Sequence, residues 1–438
     1  IIIYRSPAPL PNGTGYGVGG YGVGGYGNGV IPPSTTIGAP INCTDWTLDN
    51  WGSYLISCPL FYDNGTSTLN GGPICQWSPN TGSSIASVIP QAPQVNDGMF
   101  VAMPQRQIVA WGSTFSGVQD PLLIRWCDVN DFSSWIALPT NQAGSYRIPR
   151  GSRIVGCIQG PQQGLIWTDL ALWAMQYSGP PYVYQFNEIG TGCGLISRKA
   201  AGSMNGVIYW MSQSQFYMMG NGGIEVIPCP VWDVIFQDLD TNNLDKIRIA
   251  PNSRFGEISW YYPTLSNGGE VNAYAKYNIM LRQWDFGTLS RTAWINQSVL
   301  GAPIGAAPIS AGINYIYQHE MSQNADGAVM QSSFQTGYFA LSDGEWKIFI
   351  DQVWPDMKWG LYGGSQNAHV NMTFYVTDYP GDTPRSYGPY NLSINTEFIS
   401  PRFRGRLVSI KIESDPDEIN TFWRIGAMRY RYEQDGKF

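Results

Sequence analysis

Arg402-Phe-Arg-Gly-Arg406 is the strongest cationic signal in this chain. Three guanidinium groups beside an aromatic ring suit a phosphate or a carboxylate. Arg402, Arg404 and Arg406 are therefore candidate contacts for a DNA channel or for a subunit interface, with a solvated strand end as the plain alternative. His319-Glu320 offers an acid/base pair or, more simply, a hydrogen-bonded loop histidine. Asp238, Asp240 and Asp245 cluster in sequence, but they lack the glycine and the terminal glutamate of a twelve-residue calcium loop. Paired carboxylates on separate sheets are what a propeller-shaped glycosidase needs. Asp128, Asp169, Glu188, Asp233 and Glu257 could supply them, yet no local motif marks any of the five. A nucleophile elbow, a zinc-protease helix and a dinucleotide fingerprint are all missing from the sequence. The reading is of a non-enzyme with no catalytic residue, no cofactor and no metal.

Composition narrows the class. Only 13% of the 438 residues are charged and 14% are aromatic, with 17 Trp, 26 Tyr, 51 Gly and 30 Pro. Few aromatics and high charge mark disorder, so this is the opposite profile. It fits a large all-β protein with many turns and a surface poor in solvating charge, which favours association. The net charge of −7 works against tight phosphate binding and allows a surface past which DNA slides. Seven cysteines, an odd number without C-x-x-C spacing, read as free buried thiols rather than zinc ligands. No apolar run is long enough for a membrane helix. The chain opens Ile-Ile-Ile-Tyr-Arg without Met, so the expectation is of a natural N-terminus farther upstream, and no signal peptide is visible.

The elements that would carry such residues are short strands. Val207–Met211, Gln215–Met219 and Ile224–Ile227 alternate with Ser-Gln-Ser and Asn-Gly-Gly, an antiparallel meander. Arg254–Tyr262, Val271–Tyr277 and Trp284 make a second unit. Ile108–Gly112 pairs with Leu122–Trp126, and Arg153–Ile158, Leu165–Trp167 and Ala171–Tyr177 follow. Trp111, Trp167, Trp210 and Trp260 recur at comparable places, spaced by 56, 43 and 50 residues. That interval suits propeller blades, with the indoles buried between them. Residues 298–312 read as a small-residue loop, and Ile313–Gln318 with Ala328–Ser332 as a last blade. Longer strands are expected at 346–354, 370–378, 392–399, 406–414 and 422–432. The expected fold is all-β: a glycine/tyrosine-rich extended arm over 1–40, a propeller over 41–332, and a β-sandwich platform over 333–438. The arm repeats Gly-Tyr-Gly-Val-Gly twice over residues 15–24 and closes with Gly-Tyr-Gly-Asn-Gly at 25–29. It is either a flexible linker or an arm anchored on a neighbouring subunit through Tyr16, Tyr21 and Tyr26.

Taken in order, several segments resemble the tail hub, or nozzle, proteins of short-tailed bacteriophages, which stabilise packaged DNA. They are Trp46-Thr-Leu-Asp-Asn-Trp-Gly52, Gly72-Pro-Ile-Cys-Gln-Trp77 and Arg125-Trp-Cys-Asp-Val-Asn-Asp-Phe-Ser-Ser-Trp135. Ile208-Tyr-Trp-Met211, Pro228-Cys-Pro-Val-Trp-Asp233, Gly287-Thr-Leu-Ser-Arg-Thr-Ala-Trp294, Arg404-Gly-Arg406 and Phe422-Trp-Arg-Ile-Gly426 continue the series. The likeness spans about residue 41 to 438; the glycine-tyrosine arm departs from the family pattern. The resemblance implies a propeller subunit in a homohexameric ring below the portal and its tail adaptor protein. Double-stranded DNA would pass transiently through the ring, which would also dock fibres or spikes. The chain would be made in the host cytoplasm and reside in the virion tail without membrane insertion. A host-glycan-binding propeller is the alternative, then a propeller glycosidase.

Overall fold

The computed structural model describes residues 45–63, 68–78, 86–296, 301–308, 315–340, 344–361 and 368–437. The arm with Tyr16, Tyr21 and Tyr26, and also Cys43, lies outside them. The chain forms two compact units, one ending at Tyr317 and one beginning at Gln318.

Short strands with β-branched and aromatic side chains, cut by glycine turns, pair most readily with their sequence neighbours. The first unit accordingly builds antiparallel sheets in succession. Asp45–Trp51, Tyr54–Asp63, Cys75–Trp77 and Ser87–Val88 form the first, with Thr68–Gly71 on the far end of its long second strand. Gly98–Ala102, Gln107–Trp111, Leu123–Trp126 and Gly144–Arg147 form the second. The third comprises Ile154–Gln159, Gly164–Thr168, Ala171–Gly179 and Val183–Thr191. The fourth comprises Ala201–Met204, Val207–Met211, Phe216–Gly220 and Gly223–Ile227. Arg248–Asn252, Glu257–Pro263, Val271–Asn278 and Gln283–Thr288 make the fifth, and Ala293–Ile295, Ile304–Ala306 and Ile316–Gln318 a three-stranded sixth. The first strands of successive sheets lie beside one another, and a parallel bridge joins Lys199 to Arg248. Sequential meanders whose first strands neighbour one another are the architecture of a β-propeller.

Trp111, Trp167, Trp210 and Trp260 all fall on the second strand of their sheets and are at most 2% exposed. Two of the indoles also bridge backward: Trp210 Nε1 donates to Cys193 O at 2.9 Å and Trp260 Nε1 to Ala200 O at 3.0 Å. Gly98 lies opposite Trp111 in register, and a Cβ there would meet the indole at 2.3 Å. Glycine is therefore required for the ring to lie flat across the strand.

Three strand expectations are corrected here. Arg254–Gly256 is a turn, and the strands around it are Arg248–Asn252 and Glu257–Pro263. The region 298–312 contains a strand, Ile304–Ala306, because the sixth sheet needs a partner for Ala293–Ile295. Residues 328–332 form no strand; Ala325 and Ala328 close a turn there instead.

The second unit is a sandwich. Ser333–Gln335, Leu407–Ser414, His369–Thr377 and Arg385–Ser393 form one sheet. Phe403–Gly405, Ile348–Trp354 and Arg429–Gln434 form the other. Ile348, Ile350 and Val353 meet Val370, Met372, Phe374, Ile410 and Ile412 in a shared core. The strand expected at 392–399 runs instead over Arg385–Ser393, as the partner of His369–Thr377. The one expected at 422–432 is two, Thr421–Ile425 and Arg429–Gln434. Gly426 breaks it: its N–H donates to Asp356 O at 2.6 Å, and a Cβ would meet the Asp356 carboxylate at the same distance.

Candidate functional site

The arginine strip belongs to the second unit. Phe403 and Gly405 are buried, so the alternation of their strand turns Arg404 outward, while Arg406, just beyond it, is half-buried. Arg404 Nε pairs with Asp435 Oδ2 at 2.5 Å, and its guanidinium lies 5.9 Å from the Phe349 ring. Arg406 donates to the Lys437 carbonyl and lies 5.1 Å from the Tyr379 ring. Arg402 is exposed, with a left-handed φ of 46°. Arg385 donates to Arg404 O at 2.9 Å and meets Asp378 at 3.4 Å, where Lys347 also binds. The strip is thus one part of a mixed-charge surface, with intramolecular partners for Arg404 and Arg406.

Each of the five glycosidase-type carboxylates has local surroundings of its own. Asp128 Oδ1 accepts from Val129 N and Gln142 N, both at 2.8 Å. Asp169 accepts from Ser152 N and Oγ; partial burial pushes its carboxyl up, but the serine bonds hold it below the usual range. Glu188 pairs with Arg150 at 2.8 Å. Asp233 is exposed on the short helix Trp232–Phe236. Glu257 meets Lys276 at 3.4 Å, a lysine shared with Asp285. Asp128, Asp169, Glu188 and Glu257 thus each have a separate local partner. Asp240 caps a turn by accepting from Asn242 N and Asn243 Nδ2. His319-Glu320 follows the strand Ile316–Gln318. Among the described residues no group of three or more His, Cys, Asp or Glu is placed to hold a metal ion. Cys58, Cys75, Cys127, Cys157 and Cys193 are free and buried, and Cys229 is free and half-buried. Burial pushes Cys58 and Cys127 up to about 12.

What sequence reasoning missed is an ion cluster where the first strands of the sheets begin. Asp45 opens the first sheet. Its carboxylate meets Arg248 Nη2 at 3.3 Å, Arg198 Nε at 3.7 Å and Lys199 Nζ at 3.9 Å. Arg248 opens the fifth sheet, and Arg198 and Lys199 precede the fourth. Burial alone would raise the Asp45 pKa; Arg248, then Lys199 and Arg198, hold it far below the usual carboxylate range. Lys199 Nζ also donates to Trp46 O at 2.5 Å and Arg198 Nη2 to Asp97 O at 2.6 Å, which brings the start of the second sheet into the cluster. The Arg198 side chain is only 7% exposed, and its Nε and Nη1 have no hydrogen-bond partner among the described residues. Asp97, held by Gln119 Nε2 at 3.0 Å, has a pKa of about 6, raised by burial against the pull of Arg198. Farther along the first strand, Thr47 and Asp49 accept from Met99 N and Val101 N, at 3.1 and 2.8 Å. Trp46 and Lys199 are 153 positions apart and Asp45 and Arg248 farther still, and no local motif announces them. Their chemistry is to tie sheets together through charge.

Fold and site together define an all-β protein with a propeller-like core and a β-sandwich, fastened internally by buried charge. No family model matches the chain, and no curated protein matches it. Among solved structures it is similar to two variants of an exo-β-1,3-galactanase from Phanerochaete chrysosporium, each with β-1,3-galactotriose. Identity is 9% in both; 88% and 91% of this chain and 95% and 97% of those chains are covered, with TM-scores of 0.28 and 0.29. At that level the likeness carries no argument about activity. Among the described residues, no helix is long and apolar enough to cross a membrane.

Proposed function

We propose that this chain is a structural subunit of a short bacteriophage tail, a hub or nozzle of the virion. Six copies form a ring below the portal and adaptor, extend the DNA exit path, retain the packaged genome before ejection, and dock fibres or spikes. The observation that supports an assembly role is the set of large apolar side chains exposed on the second unit. Phe334 is 46% exposed, Ile394 63%, Phe398 46%, Phe422 45% and Tyr432 52%. On a chain with 13% charged residues, such side chains favour burial against another protein surface. The ring and its place in the tail rest on the ordered motifs from Trp46 to Gly426. Arg402, Arg404 and Arg406 contribute to the subunit interface or face the channel, and the reading requires no catalysis. A heterologous ring closes through two different patches, so a fault in either blocks it. Native mass measurement of the full chain tests the reading. A hexamer is expected; a monomer or a trimer overturns it.

A further inference from the structure

We propose that a groove between the second and third sheets binds a neutral saccharide. This goes beyond the assembly role and does not depend on it. The groove, about 280 Å³, lies between the turns that join first to second strands, Met103-Pro104-Gln105 and Gln162-Gln163. That is near the small end of ligand pockets, ~300–1,000 Å³. Its lining contains no Asp, Glu, Lys, Arg or His. The adjacent Arg106 bonds instead to Asn130 Oδ1 at 3.2 Å and lies 5.0 Å from the Trp51 ring. A phosphate or carboxylate would therefore find no counter-charge here.

Carboxamides and phenols line the groove. Gln159 is a fixed wall, accepting from Met103 N at 3.3 Å and donating to Gly160 O at 2.7 Å. Gln176 Nε2 donates to Gln163 Oε1 at 2.7 Å, which leaves the second polar atom of each amide for a ligand. Gln105 and Gln162 make no side-chain hydrogen bond among the described residues and line the same space. Each amide can donate and accept, which matches adjacent sugar hydroxyls. Tyr177 is 39% exposed, and its hydroxyl is tied to Gln142 Oε1 at 2.7 Å. Tyr184 packs against it at a steep angle, the ring centroids 5.7 Å apart, and donates to Gln107 Oε1 at 2.7 Å. A ring held in this way offers its face to the C–H face of a pyranose at little entropic cost.

Saturation-transfer NMR on the full chain tests this, with galactose, glucose, mannose and N-acetylglucosamine as probes and glucose 6-phosphate as the charged comparator. Transfer to at least one neutral sugar is expected, in preference to glucose 6-phosphate. The Gln105→Ala/Gln162→Ala variant, which removes no internal bond, should weaken binding about tenfold. Tyr177→Phe keeps the ring and should retain binding, whereas Tyr177→Ala should lose it. No transfer to any of these sugars overturns the proposal. So does transfer that the glutamine variant leaves unchanged, or preference for the sugar phosphate.

Discussion

Acidification should stabilise this protein, and Asp97 should be the reason. Its side chain is half-buried at the start of the second sheet, with a pKa of about 6 against an ordinary 3.8. A raised folded-state pKa means that the native state binds a proton the unfolded chain does not. Stability from this group is therefore lowest above the folded pKa. It rises as pH falls through that pKa and levels off near the unfolded value. The gap between the two pKa values corresponds to about 3 kcal/mol at the limit, and moving from about pH 7.5 to about pH 5 realises about 1.4 kcal/mol of it. Asp45 works in the opposite direction, but its depressed pKa matters only as pH falls below the ordinary carboxylate range. Urea unfolding followed by tryptophan fluorescence at the two pH values reads the difference as a higher midpoint at low pH, by about half a molar. Asp97→Asn keeps an acceptor for Gln119 and removes the titration. Other groups contribute alike to both proteins, so subtracting the variant isolates Asp97. An equal midpoint rise in the variant, or a fall in the parent, would refute the reasoning.

Asp45→Asn leaves Arg198, Lys199 and Arg248 around a neutral group, and should cost about 3–5 kcal/mol of stability by the same urea assay. Gly98→Ala forces a Cβ into the Trp111 indole and should lower stability by about 1–3 kcal/mol, visible as a depressed melting temperature. Arg404→Glu with Arg406→Glu should leave the melt of the second unit within about 1 kcal/mol, because the Arg404 pair is exposed, while native mass shows loss of the ring; an intact ring moves the strip to solvent or to the channel. The isolated chain should bind duplex DNA weakly in a filter assay at physiological salt; sub-micromolar, strongly salt-dependent binding would mark a DNA clamp.

The second strands of the sheets were legible in the sequence because they are buried on both faces and read as unbroken apolar and aromatic runs. Val207–Met211 and Leu165–Trp167 could be read from apolar and aromatic runs, and the four tryptophans marked second strands. Of the inner strands, Ile154–Gln159 was legible, read as Arg153–Ile158, but two others were not. Ala201–Met204 is too small and Arg248–Asn252 too polar, with Pro251 near its end, to read as a strand. Both features follow from position. Inner strands lie close to their neighbours, so side chains must be short: a Cβ on Gly202 would meet Ile249 at 2.9 Å. Inner strands also have an edge unpaired within their own sheet, and side chains such as Thr47 and Asp49 satisfy the facing N–H groups across the gap.

The ion cluster escaped sequence reading for a related reason. Arg198-Lys199 and Arg248 look like ordinary surface charges when only their neighbours in the chain are considered. The propeller-like arrangement brings the starts of distant strands together, and their charges become a cluster only there. A buried arginine is costly unless it is compensated, so Asp45 is constrained by residues at the starts of the fourth and fifth sheets as well as by Trp46 N of its own strand. The same logic separates this cluster from the arginine strip. Arg404 and Arg406 find partners within their own unit and near the surface, where a pair contributes little to stability. Charge at the inner ends therefore ties the sheets of the core together, whereas charge on the sandwich surface adds little to stability.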